Sequence, residues 1–221
     1  MSKDFEGQIV LVTGASRGLG YSVAAELGRR GAHVVALART IGGLEELADE
    51  VEAGGSASTL VPMDITDEEA LKRMCRAVHD RWGKIDLLVH CAAHAVPLSP
   101  VEHTGQKDFD RAWEVNAKAV LQLITNCQPL LEASPSGRAI FIRDDENTQS
   151  KFFAGYAPSR AAGTQIAENW AAEKKQTGPK VSFFVPQPMP TALRSRFFPG
   201  EDRSKLSPCE EEAKRLVDSL C

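Results

Sequence analysis

A glycine-rich turn constrains this chain more than any other feature of its sequence. The segment TGASRGLG (13–20) follows a β-branched run and leads into a stretch with helical spacing. Its glycines follow the pattern G-x-x-x-G-x-G, and glycine lets a backbone turn tightly and approach a pyrophosphate. A helix that begins there presents free N–H groups and the positive end of its dipole. We therefore predict a dinucleotide site, whose contacts in this turn are Gly14, Ser16, Arg17, Gly18, Leu19 and Gly20.

Strand-like and helix-like segments alternate along the rest of the chain. The predicted strands are 8–14, 33–38, 58–64, 85–93, 138–144 and 180–186. The predicted helices are 18–30, 41–53, 68–82 (capped by Asp67), 107–132, 155–176 and about 209 to the end.

Continuous apolar strands joined by helices predict a parallel sheet covered on both faces. Right-handed crossovers favour a doubly wound, Rossmann-type α/β fold. We predict a single domain over residues 1–221, with about six strands in the order 3-2-1-4-5-6. The C-terminal segment AKRLVDSLC is predicted to be helical, so we expect no seventh strand.

Charge and cysteine content exclude several classes of partner. The net charge of −4 gives no indication of nucleic acid or of an anionic membrane. Apolar runs are short, and the N-terminus lacks the apolar region of a secretory signal. The five cysteines show no metal-binding spacing, so we expect no metal and reduced thiols in the cytoplasm.

The end of the second predicted strand favours NADP(H) over NAD(H). An acidic residue there would bind the ribose 2′-OH and repel a 2′-phosphate. The sequence instead has Ala38-Arg39-Thr40, without a carboxylate. Arg39 can neutralise a 2′-phosphate, and Arg17 can face it from the other side. NAD(H) remains the weaker alternative.

Several segments together with the glycine turn resemble the short-chain dehydrogenase/reductase family over about residues 7–217. The further segments are MDIT with Asp64, HCAA (90–93), VNAKAV (115–120), YAPSRAA (156–162) and VPQPMPT (185–191). That family transfers hydride between NAD(P) and a carbonyl or alcohol carbon. The resemblance implies catalytic roles for Tyr156 as acid or base, Arg160 beside it, and Asn116 as holder of a relay water. It also implies cofactor contacts by Asp64, Ala92, Thr191, Tyr156 and Arg160.

Two catalytic positions differ from the family pattern. Arg160 stands where the family has lysine; it keeps the positive charge but cannot release a proton near neutral pH. The family serine falls on Arg143 by counting and on Asp144 by strand alignment, with Thr148 and Ser150 as alternatives in the loop. Losing a donor at a developing oxyanion typically costs about 3–4 kcal/mol. The sequence therefore predicts an NADP(H)-dependent oxidoreductase or, alternatively, a weak or inactive dinucleotide-binding relative.

The substrate and the assembly are less constrained. We expect a small-molecule substrate. The side chains of Phe152, Phe153, Phe197, Phe198 and Met189 either line an apolar cleft or fill the core. Arg194 and Arg196 either attract an anionic substrate or lie on the surface. The family resemblance implies a homodimer through the helices 107–132 and 155–176.

Overall fold

The computed structural model describes residues 3–144 and 150–221. Within these ranges six parallel strands form one sheet: β1 Ile9–Thr13, β2 His33–Ala38, β3 Ser58–Pro62, β4 Leu87–His90, β5 Arg138–Ile142 and β6 Lys180–Phe184. Their order is β3-β2-β1-β4-β5-β6, so the predicted doubly wound fold and strand order are confirmed. In the described part of the chain, no seventh strand pairs with this sheet.

Eight α-helices lie in the same described ranges. They are α1 Gly18–Arg29, α2 Ile41–Ala53, α3 Glu68–Trp82, α4 Gln106–Trp113, α5 Ala119–Glu132, α6 Ala157–Lys174, α7 Ala192–Phe197 and α8 Cys209–Asp218. Asp67 caps α3 as predicted, because its carboxylate accepts from the Ala70 N–H at 2.9 Å.

Two helical features differ from the sequence prediction. The predicted helix 107–132 is divided, because the π-helical turn Glu114–Lys118 joins α4 to α5. This turn packs tightly on α6, where a Cβ at Gly163 would come 2.0 Å from the Asn116 carbonyl oxygen. Helix α7 lies in a segment predicted to be loop, and its N-cap Thr191 accepts from the Arg194 N–H at 3.2 Å.

Alternate strand residues pack on opposite faces of the sheet. Val10 and Val12 of β1 face the layer that contains α1, α2 and α8. Ile9 and Leu11 face the layer that contains α3, α5 and α6. Because both faces are covered, the polar chemistry is confined to the carboxyl ends of the strands.

Strand β4 ends at His90, three residues before its predicted end. Residues 91–93 instead form a loop along the carboxyl edge of the sheet. No helix within the described ranges is long and apolar enough to cross a bilayer.

Candidate active site

A cleft of about 510 Å³ opens at the carboxyl ends of the strands. The predicted cofactor residues all line it: Gly14, Ser16, Arg17, Gly18, Leu19, Gly20, Arg39, Asp64, Ala92, Tyr156, Arg160 and Thr191. The fold therefore brings together the predicted dinucleotide turn and the predicted catalytic pair.

The glycine turn packs directly against the loop that follows β4. Gly14 has φ +70°, and a Cβ on it would lie 2.9 Å from the Ala92 nitrogen. A Cβ on Gly20 would lie 2.4 Å from the Gly14 carbonyl oxygen. No side chain caps the start of α1 among the described residues, so its first N–H groups face the cleft. This cradle fits the pyrophosphate of a dinucleotide.

Two arginines stand at the part of the cleft where the ribose of the adenosine half would lie. Arg17 is the N-cap residue of α1, and Arg39 directly follows β2. Both side chains are exposed, and within the described ranges neither guanidinium has a hydrogen bond or an ion pair. Both charges are therefore available to an anionic group of a ligand.

Asp64, by contrast, is already engaged. Its Oδ1 accepts from the Thr66 N–H at 3.0 Å and from the Thr66 hydroxyl at 2.9 Å, while its Oδ2 accepts from Arg111 at 2.5 Å. Burial alone would raise the pKa of this carboxyl, but the hydrogen bonds from Thr66 and Arg111 lower it overall. Asp64 is thus held ionised and fixed in the cleft wall.

Tyr156 is buried at the base of the cleft, with 2% of its surface exposed. Its hydroxyl donates to Asp144 Oδ2 at 3.0 Å. Burial raises the pKa of this phenol, the Arg160 guanidinium opposes the rise, and the Asp144 carboxylate adds to it. Tyr156 is therefore protonated at neutral pH.

Asp144 is the serine-position candidate whose side chain contacts the tyrosine hydroxyl. Arg143 instead pairs with Glu168 at 3.5 Å, and its guanidinium lies 5.9 Å from the centre of the Phe183 ring. Ser150 is exposed and lies outside the cleft lining. Thr148 falls outside the described residues.

Arg160 lies one helical turn after Tyr156 and is 9% exposed. Its terminal NH2 group donates to the Ile142 carbonyl oxygen at 2.7 Å, at the end of β5. Its buried Nε has no hydrogen-bond partner among the described residues. Arg160 thus places a fixed positive charge beside the phenol.

Asn116 lies in the π-helical turn and is fully buried. Its Oδ1 accepts from the His94 N–H at 2.8 Å, and its Nδ2 donates to the His94 carbonyl oxygen and to Ser159 Oγ, both at 3.0 Å. Its side chain therefore anchors the segment after β4 and is not part of the cleft wall.

A second buried contact, which sequence reasoning missed, holds the same loop. Thr13 Oγ1 lies 2.8 Å from His90 Nδ1 and accepts from the Ala92 N–H at 3.3 Å. Burial, aided by the nearby Arg160 charge, lowers the pKa of His90 to about 3. The imidazole is therefore neutral at pH 7. The polar residues Thr13 and His90 at the ends of β1 and β4 were the sequence signal from which this contact could have been found.

Aromatic side chains enclose the end of the cleft near Tyr156. The Phe197 ring lies 4.8 Å from the Tyr156 ring and 4.9 Å from the Phe153 ring. Phe197 and Phe198 line the cleft, as does Met189. Phe153 lies in the buried cluster behind them, and Phe152 is exposed.

The two arginines of α7 also line the cleft, but both have protein partners. Arg194 forms a two-bond ion pair with Glu201, at 2.6 and 2.7 Å, and its guanidinium lies 4.8 Å from the Phe198 ring centre. Arg196 donates to the Ala95 carbonyl oxygen at 2.7 Å. Among the described residues, no group of His, Cys, Asp or Glu is placed to hold a metal ion.

Comparison with known proteins places these residues in a family context. Residues 8–202 match the family described as short chain dehydrogenase. The chain is 32% identical over 139 residues to the glycine betaine reductase of Emericella nidulans, a match that covers 63% of this chain but 11% of that protein. It is 28% identical to an uncharacterized oxidoreductase of Staphylococcus epidermidis, with 96% of this chain and 89% of that protein covered.

A solved structure shows the same fold. It is described as a short chain dehydrogenase from Escherichia coli CFT073 complexed with NADPH, and it is 25% identical to this chain. The TM-score is 0.86, over 96% of this chain and 90% of that one.

Proposed function

Because the chain belongs to the short chain dehydrogenase family, we propose that it is an NADP(H)-dependent oxidoreductase with Tyr156 as its acid or base. It transfers hydride between the nicotinamide and a carbonyl or alcohol carbon. The observation that carries this proposal is one cleft that joins the glycine turn to Tyr156 and Arg160. Family membership supports the oxidoreductase class itself.

The choice of NADP(H) rests on charge. Arg17 and Arg39 are exposed cations at the ribose end of the cleft, and β2 is followed by arginine instead of a carboxylate. A 2′-phosphate can form charge-assisted hydrogen bonds with both. The relative solved with NADPH supports the same cofactor class.

The protein's own groups have separable roles when a dinucleotide is bound. The glycine turn and the start of α1 hold the pyrophosphate, and the nicotinamide supplies the hydride chemistry. Arg160, which lines the cleft, is assigned to a hydroxyl of the nicotinamide ribose. Tyr156 holds a proton at its hydroxyl, and Phe197 packs against its ring. Asn116 positions the loop after β4 through His94.

Cofactor binding is tested by titrating the purified chain with NADPH and with NADH in a calorimeter at moderate salt. We expect NADPH to bind more tightly, since each charge-assisted contact contributes about 1.5–3 kcal/mol. Arg39→Ala should weaken NADPH binding by at least about tenfold and should change NADH binding little. Arg73→Ala, at an exposed position on α3 outside the cleft, is the matched control. Equal affinities for both cofactors in the wild type would contradict the proposal.

A second candidate is a dinucleotide-binding relative with little or no turnover. The observation that favours it is the contact between the Tyr156 hydroxyl and Asp144, an acceptor where the family has a donor. A panel of carbonyl compounds separates the two candidates. NADPH binding with turnover supports the oxidoreductase, and NADPH binding without any turnover supports the second candidate.

We also propose a homodimer formed by the helical regions 107–132 and 155–176, working in the cytoplasm. Exposed apolar side chains on the first region, Trp113 and Leu121, support a helix-mediated contact. The five cysteines are free thiols, which suits a reducing compartment.

A further inference from the structure

We propose that this site reduces C=N bonds protonated at nitrogen, and does so faster than the C=O bonds of a matched carbon framework. Asp144 is the residue that selects this substrate class by binding the iminium N–H. The inference rests on the proposed function, because the hydride comes from NADPH. It names a substrate class that goes beyond carbonyl compounds.

The charge next to Tyr156 is the first argument. Asp144 lines the cleft, and one of its carboxylate oxygens accepts from the Tyr156 hydroxyl. Reduction of a carbonyl group develops negative charge on oxygen, which a neighbouring carboxylate opposes. An iminium group carries positive charge on its N–H, so the same carboxylate binds it through a charge-assisted hydrogen bond.

The second argument is the supply of protons. A carbonyl substrate needs a proton on its oxygen, but the Tyr156 proton is directed at Asp144. Arg160 cannot replace that proton, because a guanidinium does not deprotonate in proteins. A protonated imine already carries its proton when it arrives from water. An iminium substrate therefore does not require the family's serine and lysine, the two residues that are absent from this site.

The reaction balances without a protein proton donor. A hydride and its electron pair form the new C–H bond, and the π pair of the C=N bond becomes the nitrogen lone pair. The iminium is reduced to an amine, NADPH is oxidised to NADP⁺, and the amine then takes a proton from water.

The surroundings of Asp144 also suit a cation attached to an apolar framework. Phe197 packs on Tyr156. The Arg194 guanidinium lies 4.8 Å from the centre of the Phe198 ring. Aromatic faces attract cations in this way. The Arg194 charge is paired with Glu201, whereas the Arg160 guanidinium donates to the Ile142 carbonyl oxygen and stays beside the phenol.

The test compares dihydroisoquinoline with the ketone tetralone, using the full chain and NADPH. We expect kcat/KM for the imine to exceed that for the ketone by at least about tenfold in the wild type. Asp144→Ser should reverse this order, because it removes the carboxylate and supplies a hydroxyl donor. Asp49→Asn, at an exposed position on α2 outside the cleft, is the matched control and should keep the wild-type order.

A binding measurement gives a second readout that does not depend on turnover. Calorimetry in the presence of NADP⁺ measures the affinity of tetrahydroisoquinoline, a cation at neutral pH, and of the neutral alcohol tetralol. Asp144→Asn keeps the shape of the side chain and removes its charge. We expect it to weaken amine binding by at least about tenfold and to leave tetralol binding within about twofold. Circular dichroism verifies that both Asp144 variants are folded.

The outcomes separate this inference from the proposed function. If the wild type binds NADPH but reduces the ketone faster, or reduces neither compound, the iminium inference is wrong. Unchanged amine affinity in Asp144→Asn would also overturn it. If the wild type binds no NADPH, the proposed function fails first, and the inference fails with it.

Discussion

Acidification should destabilise this protein through one buried histidine. His90 ends β4, is 3% exposed, and lies 2.8 Å from Thr13 Oγ1 through its Nδ1. Burial, with a smaller contribution from the Arg160 charge, lowers the pKa of His90 to about 3. An unfolded chain would bind the proton with a pKa of about 6.5. Protonation therefore favours the unfolded state.

The sign and the size follow from these two pKa values. Because the folded pKa is the lower one, the contribution of His90 to stability is fully present above about pH 6.5. It decreases as the pH falls and is lost by about pH 3. Each pH unit between these limits costs about 1.4 kcal/mol. At about pH 5, some 1.5 units below the unfolded pKa, the loss is about 2 kcal/mol.

Urea unfolding, followed by tryptophan fluorescence at about pH 7.5 and about pH 5, measures this effect as a change in the free energy of unfolding. His90→Asn is the matched variant, since it is neutral at both pH values and retains polar atoms opposite Thr13. The pKa values of His33 and His94 are lowered as well, chiefly by burial, but both residues are present in wild type and variant. The decrease in stability on acidification should be smaller in the variant by about 2 kcal/mol.

The comparison remains valid if His90→Asn is less stable at every pH, because only the pH dependence is compared. Equal decreases in the two proteins between about pH 7.5 and about pH 5 would refute the reasoning. The imidazole would then not be buried in its neutral form beside Arg160, and the described position of β4 would be wrong.

Three further predictions concern the catalytic pair and the assembly. Tyr156→Phe should abolish ketone turnover in a steady-state assay while leaving NADPH affinity within about twofold, because it removes only the transferable proton; retained turnover would exclude Tyr156 as the acid. Arg160→Lys should preserve or raise ketone turnover, since lysine can relay a proton; a loss accompanied by normal NADPH binding would show that the guanidinium contact with Ile142 matters more. Light scattering at micromolar concentration should give a dimer, and Leu121→Lys, on the exposed face of α5, should shift it towards monomer; a monomeric wild type would contradict the dimer.

The strand order and the glycine turn were predictable because each depends on a local pattern. Six apolar strands separated by helices leave few right-handed arrangements, and the doubly wound one is the arrangement observed. The turn needs residues that tolerate positive φ and close packing, as Gly14 shows beside Ala92. Such requirements are visible in the sequence itself.

Two helical details could not be predicted from the sequence, and the reasons are again local. The π-helical turn Glu114–Lys118 interrupts a segment whose apolar spacing is helical throughout, so periodicity alone predicts one continuous helix. Helix α7 has six residues, too few to establish a period. Its importance comes from tertiary packing, because Phe197 lies against Tyr156.

The identity of the residue facing Tyr156 depended on strand register. Neighbouring residues at a strand end point to opposite faces, so a difference of one position exchanges Arg143 and Asp144. In the structure Asp144 faces the tyrosine hydroxyl, and Arg143 faces Glu168. Sequence counting and strand alignment gave different residues, and only three-dimensional packing distinguishes them.

Positions 144 and 160 are linked through the end of β5. Arg160 donates to the Ile142 carbonyl oxygen, and Asp144 follows two residues later and accepts from Tyr156. Replacing Arg160 therefore changes both the charge beside the phenol and the support of the strand end that carries Asp144. Residues that share a partner in this way show non-additive effects, with coupling energies of about 0.5–3 kcal/mol. A substitution at one position has to be interpreted together with the other, because the pair, and not either residue alone, sets the charge that a substrate meets at Tyr156.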